Sequence, residues 1–285
     1  MNTQHDTHRH IGHAQADNSD VAMARLLELD AEVLASHLWE LTDLLADHAD
    51  PAPTRILDLG SGPGTGSLAL ARRFPAAEVT AVDVSPQMLH RLHQQAAAHG
   101  VADRIRTVEA NLDGPWTVIG EGGPYDLIWA ASFLHHVADP ARTLAQAFGQ
   151  LRPGGIIAVT EMDFFPHYLP EDIGLGRPGL ETRLHAAMNT QPPHEWTGHL
   201  EEVGFTLAER RPFEIRLDSA QAGPSLNAYA QASLARLRSH ATDVVDADDL
   251  AALDALLDET QPHSIARRGD LRLHTTRTAW LARRP

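Results

Sequence analysis

The stretch Ile56-Leu57-Asp58-Leu59-Gly60-Ser61-Gly62-Pro63-Gly64-Thr65-Gly66 decides the fold. A short apolar strand, residues 55–59, runs directly into clustered glycines, and a helix is predicted over residues 65–74. Glycines at such a turn let the backbone bend sharply and approach a ligand, while free N–H groups at the helix start favour a carboxylate or a phosphate. A plain tight turn would read the same way on its own. Asp83 adds a second mark, because it falls in the next strand, residues 78–84, 23 residues beyond Gly60. An acidic side chain there accepts hydrogen bonds from both hydroxyls of a ribose.

Outward from this turn the chain alternates. A helix over residues 86–99 is closed by Gly100, strands follow at residues 104–110 and 125–131, then a helix at 140–151 and a strand at 155–162. Successive βα units of this length predict an α/β fold with a doubly wound, mostly parallel sheet. Residues 163–193 break the rhythm. They are rich in Pro and Gly and carry Phe164, Phe165, Tyr168 and Leu169, which suggests an insertion packed over a pocket. A helix at 195–203, a strand at 205–217, two helices within 224–261 and a last strand at 271–281 bring the sheet to seven strands.

Upstream, Leu27, Ala31, Leu34, Leu38, Leu41 and Leu45 recur at steps of four and three, the stripe of one helix that Asp50, Pro51 and Pro53 stop. Residues 1–19 hold His5, His8, His10 and His13 without periodicity and read as a mobile tail rather than a metal site. The expected organisation is a tail (1–19), an N-terminal helical lid (20–50), a ligand-binding core (54–162), an insertion (163–193), and the remaining core strands (194–285) with a helical insertion at about 224–261.

Composition narrows the function classes. The chain has 285 residues, 43% hydrophobic and 21% charged, enough for a sizeable core. There is no cysteine, so disulfides, thiolate nucleophiles and thiolate-held metals are excluded. There is no lysine either, which excludes a Walker-A loop, a Schiff-base lysine and a lysine general base. The formal charge of −15 has the wrong sign for a broad phosphate-binding surface. Neither an apolar run long enough for a membrane span nor a secretory h-region is present, and a cytoplasmic protein is expected.

The glycine register separates two ligands that share this geometry. A dinucleotide site wants G-x-G-x-x-G, and here the sixth position is Thr65 counted from Gly60 and Ser67 counted from Gly62. The chain instead resembles the class I S-adenosylmethionine-dependent methyltransferases, in particular the small-molecule branch with the ubiquinone and menaquinone biosynthesis C-methyltransferases. Five segments carry the likeness in order: residues 56–64, Val79-Thr-Ala-Val-Asp83-Val84-Ser-Pro-Gln-Met88, Glu109-Ala-Asn111-Leu112, residues 125–137 with Ser132, His135 and His136, and Leu151-Arg-Pro153-Gly154-Gly155. Together they span about residues 54–162.

The resemblance implies a Rossmann-like methyltransferase fold and S-adenosylmethionine as cofactor, with S-adenosylhomocysteine as product. It implies a cofactor site made of Asp58, Gly60, Ser61, Gly62, Gly64, Asp83, Val84, Met88, Asn111, Leu112, Ala131 and Ser132. Within it the Gly60 to Gly62 backbone meets the methionine moiety, Asp83 the ribose, Val84 and Leu112 the adenine faces, and Ala131 with Ser132 the methionyl portion. Asn111 stands where many relatives carry Asp, and its amide can still bond an adenine edge.

His135 and His136 follow the fourth strand at the mouth where open α/β sheets bind ligands, and imidazole titrates in the range a general base needs, so both are the catalytic candidates. Packing at the helix start is the alternative role for the pair. Glu161 and Asp163 close the fifth strand at the same mouth; with Trp39, Phe164, Phe165 and Tyr168 they are the expected substrate residues. The expected reaction moves a methyl group to an O, N or C atom of a small-molecule acceptor. No metal, nucleic acid or membrane partner is expected, and a homodimer is left open. A non-catalytic S-adenosylmethionine-binding scaffold is the competing class.

Overall fold

A computed structural model describes the backbone of residues 6–188 and 195–285, with side chains from Asp20 onward within those bounds. Two helices come first, α1 (Asp6–Val33) and α2 (Ala35–His48). The core then runs β1 (Arg55–Leu59), α3 (Thr65–Arg73), β2 (Glu78–Asp83), α4 (Pro86–Ala98), β3 (Ile105–Glu109), α5 (Thr117–Gly120), β4 (Tyr125–Ala131), α6 (Pro140–Gln150) and β5 (Leu151–Met162). The remainder is α7 (Leu180–Ala187), α8 (Thr197–Val203), β6 (Thr206–Asp218), α9 (Ser219–Ala222), α10 (Pro224–Ala241), α11 (Ala247–Leu257) and β7 (Arg272–Arg283). Among the described residues no helix is long and apolar enough to cross a membrane.

The seven strands form one sheet in the order β3-β2-β1-β4-β5-β7-β6. The first five are parallel, while β7 lies antiparallel between β5 and β6. The strand order reverses between β1 and β4, and ligands of open α/β sheets bind beyond the carboxyl ends at such a switch point. Asp126 secures this junction from the opposite end: its Oδ2 accepts from the N–H groups of Thr54 (2.8 Å) and Arg55 (2.9 Å), and its Oδ1 from Arg152 Nε (2.5 Å).

Alternation along the strands builds two cores. Ile56, Leu127, Trp129, Ile156 and Ala158 pack beneath α2, α3 and α4, whereas Leu57, Leu59, Ile128, Ala130, Ile157 and Val159 face α6 and α8. A third cluster caps the mouth. Leu29, Val33 and Leu34 meet Tyr168, Leu180 and Leu184 of the insertion, Leu226, Tyr229 and Leu234 of α10, and Leu253 and Leu256 of α11.

The expected single helix through Leu27 and Leu45 is two helices, broken at Leu34 (ψ 22°). Its apolar stripe serves two layers, because Leu29 to Leu34 enter the cap while Leu41, Leu44 and Leu45 enter the core under the sheet. One straight stripe cannot face both. Helix α1 begins at Asp6, inside the stretch expected to be a tail; His5 lies outside the described residues, as do the side chains of His8, His10 and His13.

Candidate cofactor and catalytic site

The glycine turn leaves β1 at Leu59. Gly60 has φ +66°, a region that L side chains avoid, and a Cβ there would collide with the Phe133 ring. Gly62, also at positive φ, donates its N–H to Asp83 Oδ2 at 2.8 Å, and Ser61 N–H bonds the Val82 carbonyl at 2.9 Å. Asp83 Oδ1 accepts from Ser85 N–H at 2.9 Å. The carboxylate thus sits against the turn, and each oxygen keeps a lone pair for a further donor. Beside it Val84 is 65% exposed, and Ser85 caps α4 through Met88 N–H. Gly64 occupies the N-cap of α3. An exposed apolar side chain next to a carboxylate and a glycine-rich turn fits a nucleoside.

Asp58 and Leu112 lie lower than expected. Asp58 is 2% exposed and accepts from the Ser67 hydroxyl at 2.6 Å, so it braces the turn from beneath. Burial pushes its carboxyl up to about 7, with the Ser67 hydrogen bond opposing and Asp83 adding to the rise. The folded state therefore holds this proton more tightly than the unfolded chain does. The contribution to stability is full below about pH 4 and is lost as pH rises towards 7. Asp58→Asn keeps a hydrogen-bond acceptor and removes the titration. The variant should gain on the parent by up to about 1.4 kcal/mol per pH unit across that window. Denaturation midpoints measured from pH 4 to 8 check this, and a difference that stays flat with pH defeats it. Leu112 is 5% exposed within the α6-side core, where the Trp116 indole donates to its carbonyl at 3.1 Å. Asn111 is exposed at the end of β3 with Oδ1 accepting from Asp113 N–H.

At the end of β4, Ala131 leads into Ser132, whose φ of +49° is unusual for a residue with a Cβ and whose N–H bonds the Thr160 carbonyl at 2.8 Å. The following turn is held by one side chain. Glu161, 3% exposed, accepts from Phe133 N–H (3.0 Å) and Leu134 N–H (2.9 Å) through Oε1 and from His135 Nδ1 (2.7 Å) through Oε2. A carboxylate only accepts, so Nδ1 of His135 carries a proton, and in the neutral ring the lone pair is on Nε2. Glu161, expected to meet substrate, instead positions this turn. His136 stacks on His135 with ring centroids 3.9 Å apart, and burial lowers its proton affinity.

The expected substrate residues do not converge. Asp163 accepts from the Thr278 hydroxyl at 3.0 Å, and burial raises its pKa. Phe164 packs edge-on to His274 at 5.2 Å, while Phe165 is 54% exposed beside His185, which bonds His167 at 3.2 Å. Tyr168 is buried in the cap core at 1% exposure, its hydroxyl paired with Ser233 at 2.8 Å, and so is packing rather than wall. Trp39 is 54% exposed on α2, in an outer groove with Leu38, Thr42, Leu68 and Arg72.

Helix α1 crosses the mouth. Its Asp20 accepts from Ser85 Oγ at 2.9 Å, Leu27 lies over Gly62, Glu28 pairs with Arg91 at 2.9 Å, and Asp30 pairs with Arg277 of β7. Arg277 is committed to Asp30 and Arg268 to Asp270, while the acidic Asp246 and Asp249 are met by Arg177 and Arg183. Residue reading missed Asp30, His37, Phe133 and the ring partners His167, His185 and His274.

Residues 56–155 match a family model described as "Methyltransferase domain". The chain is 35% identical over 154 residues to the trans-aconitate 2-methyltransferase of Pseudomonas aeruginosa, covering 50% of this chain and 52% of that one. It is 32% identical over 122 residues to the tRNA 5-carboxymethoxyuridine methyltransferase of Escherichia coli, covering 43% and 45%. The chain spans no more than about half the length of these curated relatives. A solved Galdieria sulphuraria protein, named as a candidate sarcosine dimethylglycine methyltransferase, superposes with a TM-score of 0.53 at 19% identity over 88% of this chain and 86% of its own. Residues 56–155 thus match the methyltransferase-domain model, and the seven-stranded, mostly parallel sheet has the Rossmann-like fold of its structural neighbour.

Proposed function

We propose that this protein moves a methyl group from S-adenosylmethionine to an O, N or C atom of a small-molecule acceptor. The observation that carries this reading is the join of Asp83 to the glycine turn through Gly62 N–H, at the switch point between β1 and β4. Bound S-adenosylmethionine would supply a methyl group on a sulfonium, open to in-line attack. In this reading the backbone of residues 60–62 binds the methionine portion, with Ser61, Gly64, Ala131 and Ser132 bordering it. Asp83 holds the ribose, Val84 and Met88 flank the base, and the Asn111 amide meets its edge. Asp58 and Leu112 act from below.

His135 is the general base. Glu161 accepts a hydrogen bond from its Nδ1–H, which leaves Nε2 to receive a proton from the acceptor. Burial lowers the proton affinity of His136, which disfavours a competing positive charge beside His135. Positioning a desolvated acceptor in line supplies most of the remaining acceleration.

The net charge of −15 and the internally paired arginines favour a metabolite over a phosphate backbone. The finer likeness to the ubiquinone and menaquinone branch rests on the motifs alone, and the P. aeruginosa relative's name suggests a small acid as another acceptor type. The test is release of S-adenosylhomocysteine when the protein is supplied with S-adenosylmethionine and a panel of phenols, carboxylates and amines, with tRNA and basic peptides alongside. Turnover with a small molecule is expected. Turnover confined to tRNA or peptides overturns the acceptor class, and cofactor binding without any turnover favours the scaffold.

A further inference from the structure

Three buried polar side-chain atoms on one face of the sheet have no hydrogen-bond partner among the described residues: Thr160 Oγ1, His37 Nδ1 and Arg277 Nε. Their placement follows from strand register. Ala158 of β5 and Ala279 of β7 belong to the core beneath α2; Thr160 continues that face opposite Ala279, and Arg277 lies two residues further along β7, opposite Met162. On β6 the neighbour of Arg277 is Phe213, and the His37 ring packs edge-on against Phe213 at 4.9 Å. Thr160 and Arg277 therefore share one sheet face near the carboxyl end of β5, and His37 of α2 reaches the neighbourhood of Arg277 through Phe213. The Thr160 carbonyl is the acceptor for Ser132 N–H, so this corner adjoins the strand end assigned to the methionyl portion.

The charges around the corner are already balanced. Asp30 takes both terminal nitrogens of Arg277 and also accepts from the Tyr229 hydroxyl, whose ring packs against Tyr168. Nε is the Arg277 nitrogen left without a partner. His37 is held neutral, because burial and then the Arg277 charge push it down to about 4 against a smaller opposing pull from Asp30. A ligand anion would meet a guanidinium whose charge Asp30 already cancels. An uncharged oxygen meets a donor in Arg277 Nε–H, and two groups able to accept or donate in Thr160 and neutral His37.

We propose that Thr160, His37 and Arg277 form the acceptor subsite and that it takes an uncharged oxygen function, a hydroxyl or a carbonyl, in preference to a carboxylate. The proposal rests on the methyl-transfer reading above and names its substrate class. Buried unpartnered polar atoms are costly, and three on one side of the sheet call for a bound molecule to meet them.

The experiment uses the full chain saturated with S-adenosylhomocysteine, labelled with 15N at arginine, and titrated with phenol or with benzoate. The Arg277 Nε–H resonance, assigned by its loss in Arg277→Lys, should shift with phenol, and phenol should bind at least ten times more tightly than benzoate. His37→Phe and Thr160→Val should each weaken phenol by about tenfold or more while leaving S-adenosylhomocysteine affinity unchanged. Because each removes an unpartnered polar atom, the melting temperature should hold or rise; a merely structural side chain would lower it. An unmoved Arg277 resonance, benzoate binding as tight as phenol, or parent-like phenol binding in both variants overturns the subsite. If S-adenosylhomocysteine itself fails to bind, the cofactor reading falls, and the same titrations without it still decide the subsite.

Discussion

Asp83→Ala should weaken S-adenosylhomocysteine binding by at least about a hundredfold. Two charge-assisted hydrogen bonds to ribose hydroxyls contribute about 1.5–3 kcal/mol each, and every 1.4 kcal/mol is about a factor of ten. The carboxylate also accepts from Gly62 and Ser85 N–H, so its removal loosens the turn that faces the ligand. Asp83→Asn separates the two effects. Its amide oxygen can still accept one of these N–H groups, so the ligand-free melting temperature should fall less than in the alanine variant while affinity still drops. Calorimetric titration of both variants provides the measurement, and parent-like affinity in Asp83→Ala would falsify the assignment of the ribose site.

Elements bounded by strong local signals are legible from sequence. β1 and β4 fall at Arg55–Leu59 and Tyr125–Ala131 as read, because each is a short apolar run with a glycine or proline on at least one side. Helix α4 ends before Gly100 for the same reason. What composition does not reveal is which layer an apolar stripe faces. The stripe from Leu27 to Leu45 satisfies one helix on paper, and only the cap assembled from α7, α10 and α11 requires the break at Leu34. The antiparallel place of β7 between β5 and β6 is likewise a property of the whole sheet and not of any segment.

The same distinction divides the site. Gly62 and Asp83 meet across 21 positions within a single βαβ unit, so spacing suffices to suggest the pair. An apolar insertion, or an acid at a strand end, announces only that something will meet it, so the partners of Tyr168 and Glu161 are not legible in the sequence. Tyr168 is met by Tyr229 and Ser233, and Glu161 by the backbone of the β4 turn. Asp30 and Arg277 are separated by 247 positions, and no local pattern marks either one.

The Glu161 pair of variants should split stability from chemistry. Glu161→Ala strands the N–H groups of Phe133 and Leu134, each of which loses its carboxylate acceptor, at a cost of about 1–3 kcal/mol per buried group. A clear drop in melting temperature follows. Glu161→Gln retains an oxygen for those N–H groups, so most of the stability should remain. Its NH2, however, faces His135 Nδ1 and donates to it, which moves the imidazole proton to Nε2 and removes the lone pair that receives the acceptor's proton. General-base catalysis contributes about 10²- to 10⁴-fold, so kcat for an acceptor that arrives protonated should fall by at least about a hundredfold in both variants. The KM for S-adenosylmethionine should change little, since neither oxygen of Glu161 reaches the glycine turn or Asp83 in its hydrogen bonding. An acceptor that is already deprotonated needs no base, and its turnover should be far less affected by Glu161→Gln. Parent-like kcat in the glutamine variant, with a protonated acceptor at saturation, would leave Glu161 as a structural brace and remove His135 from the reaction.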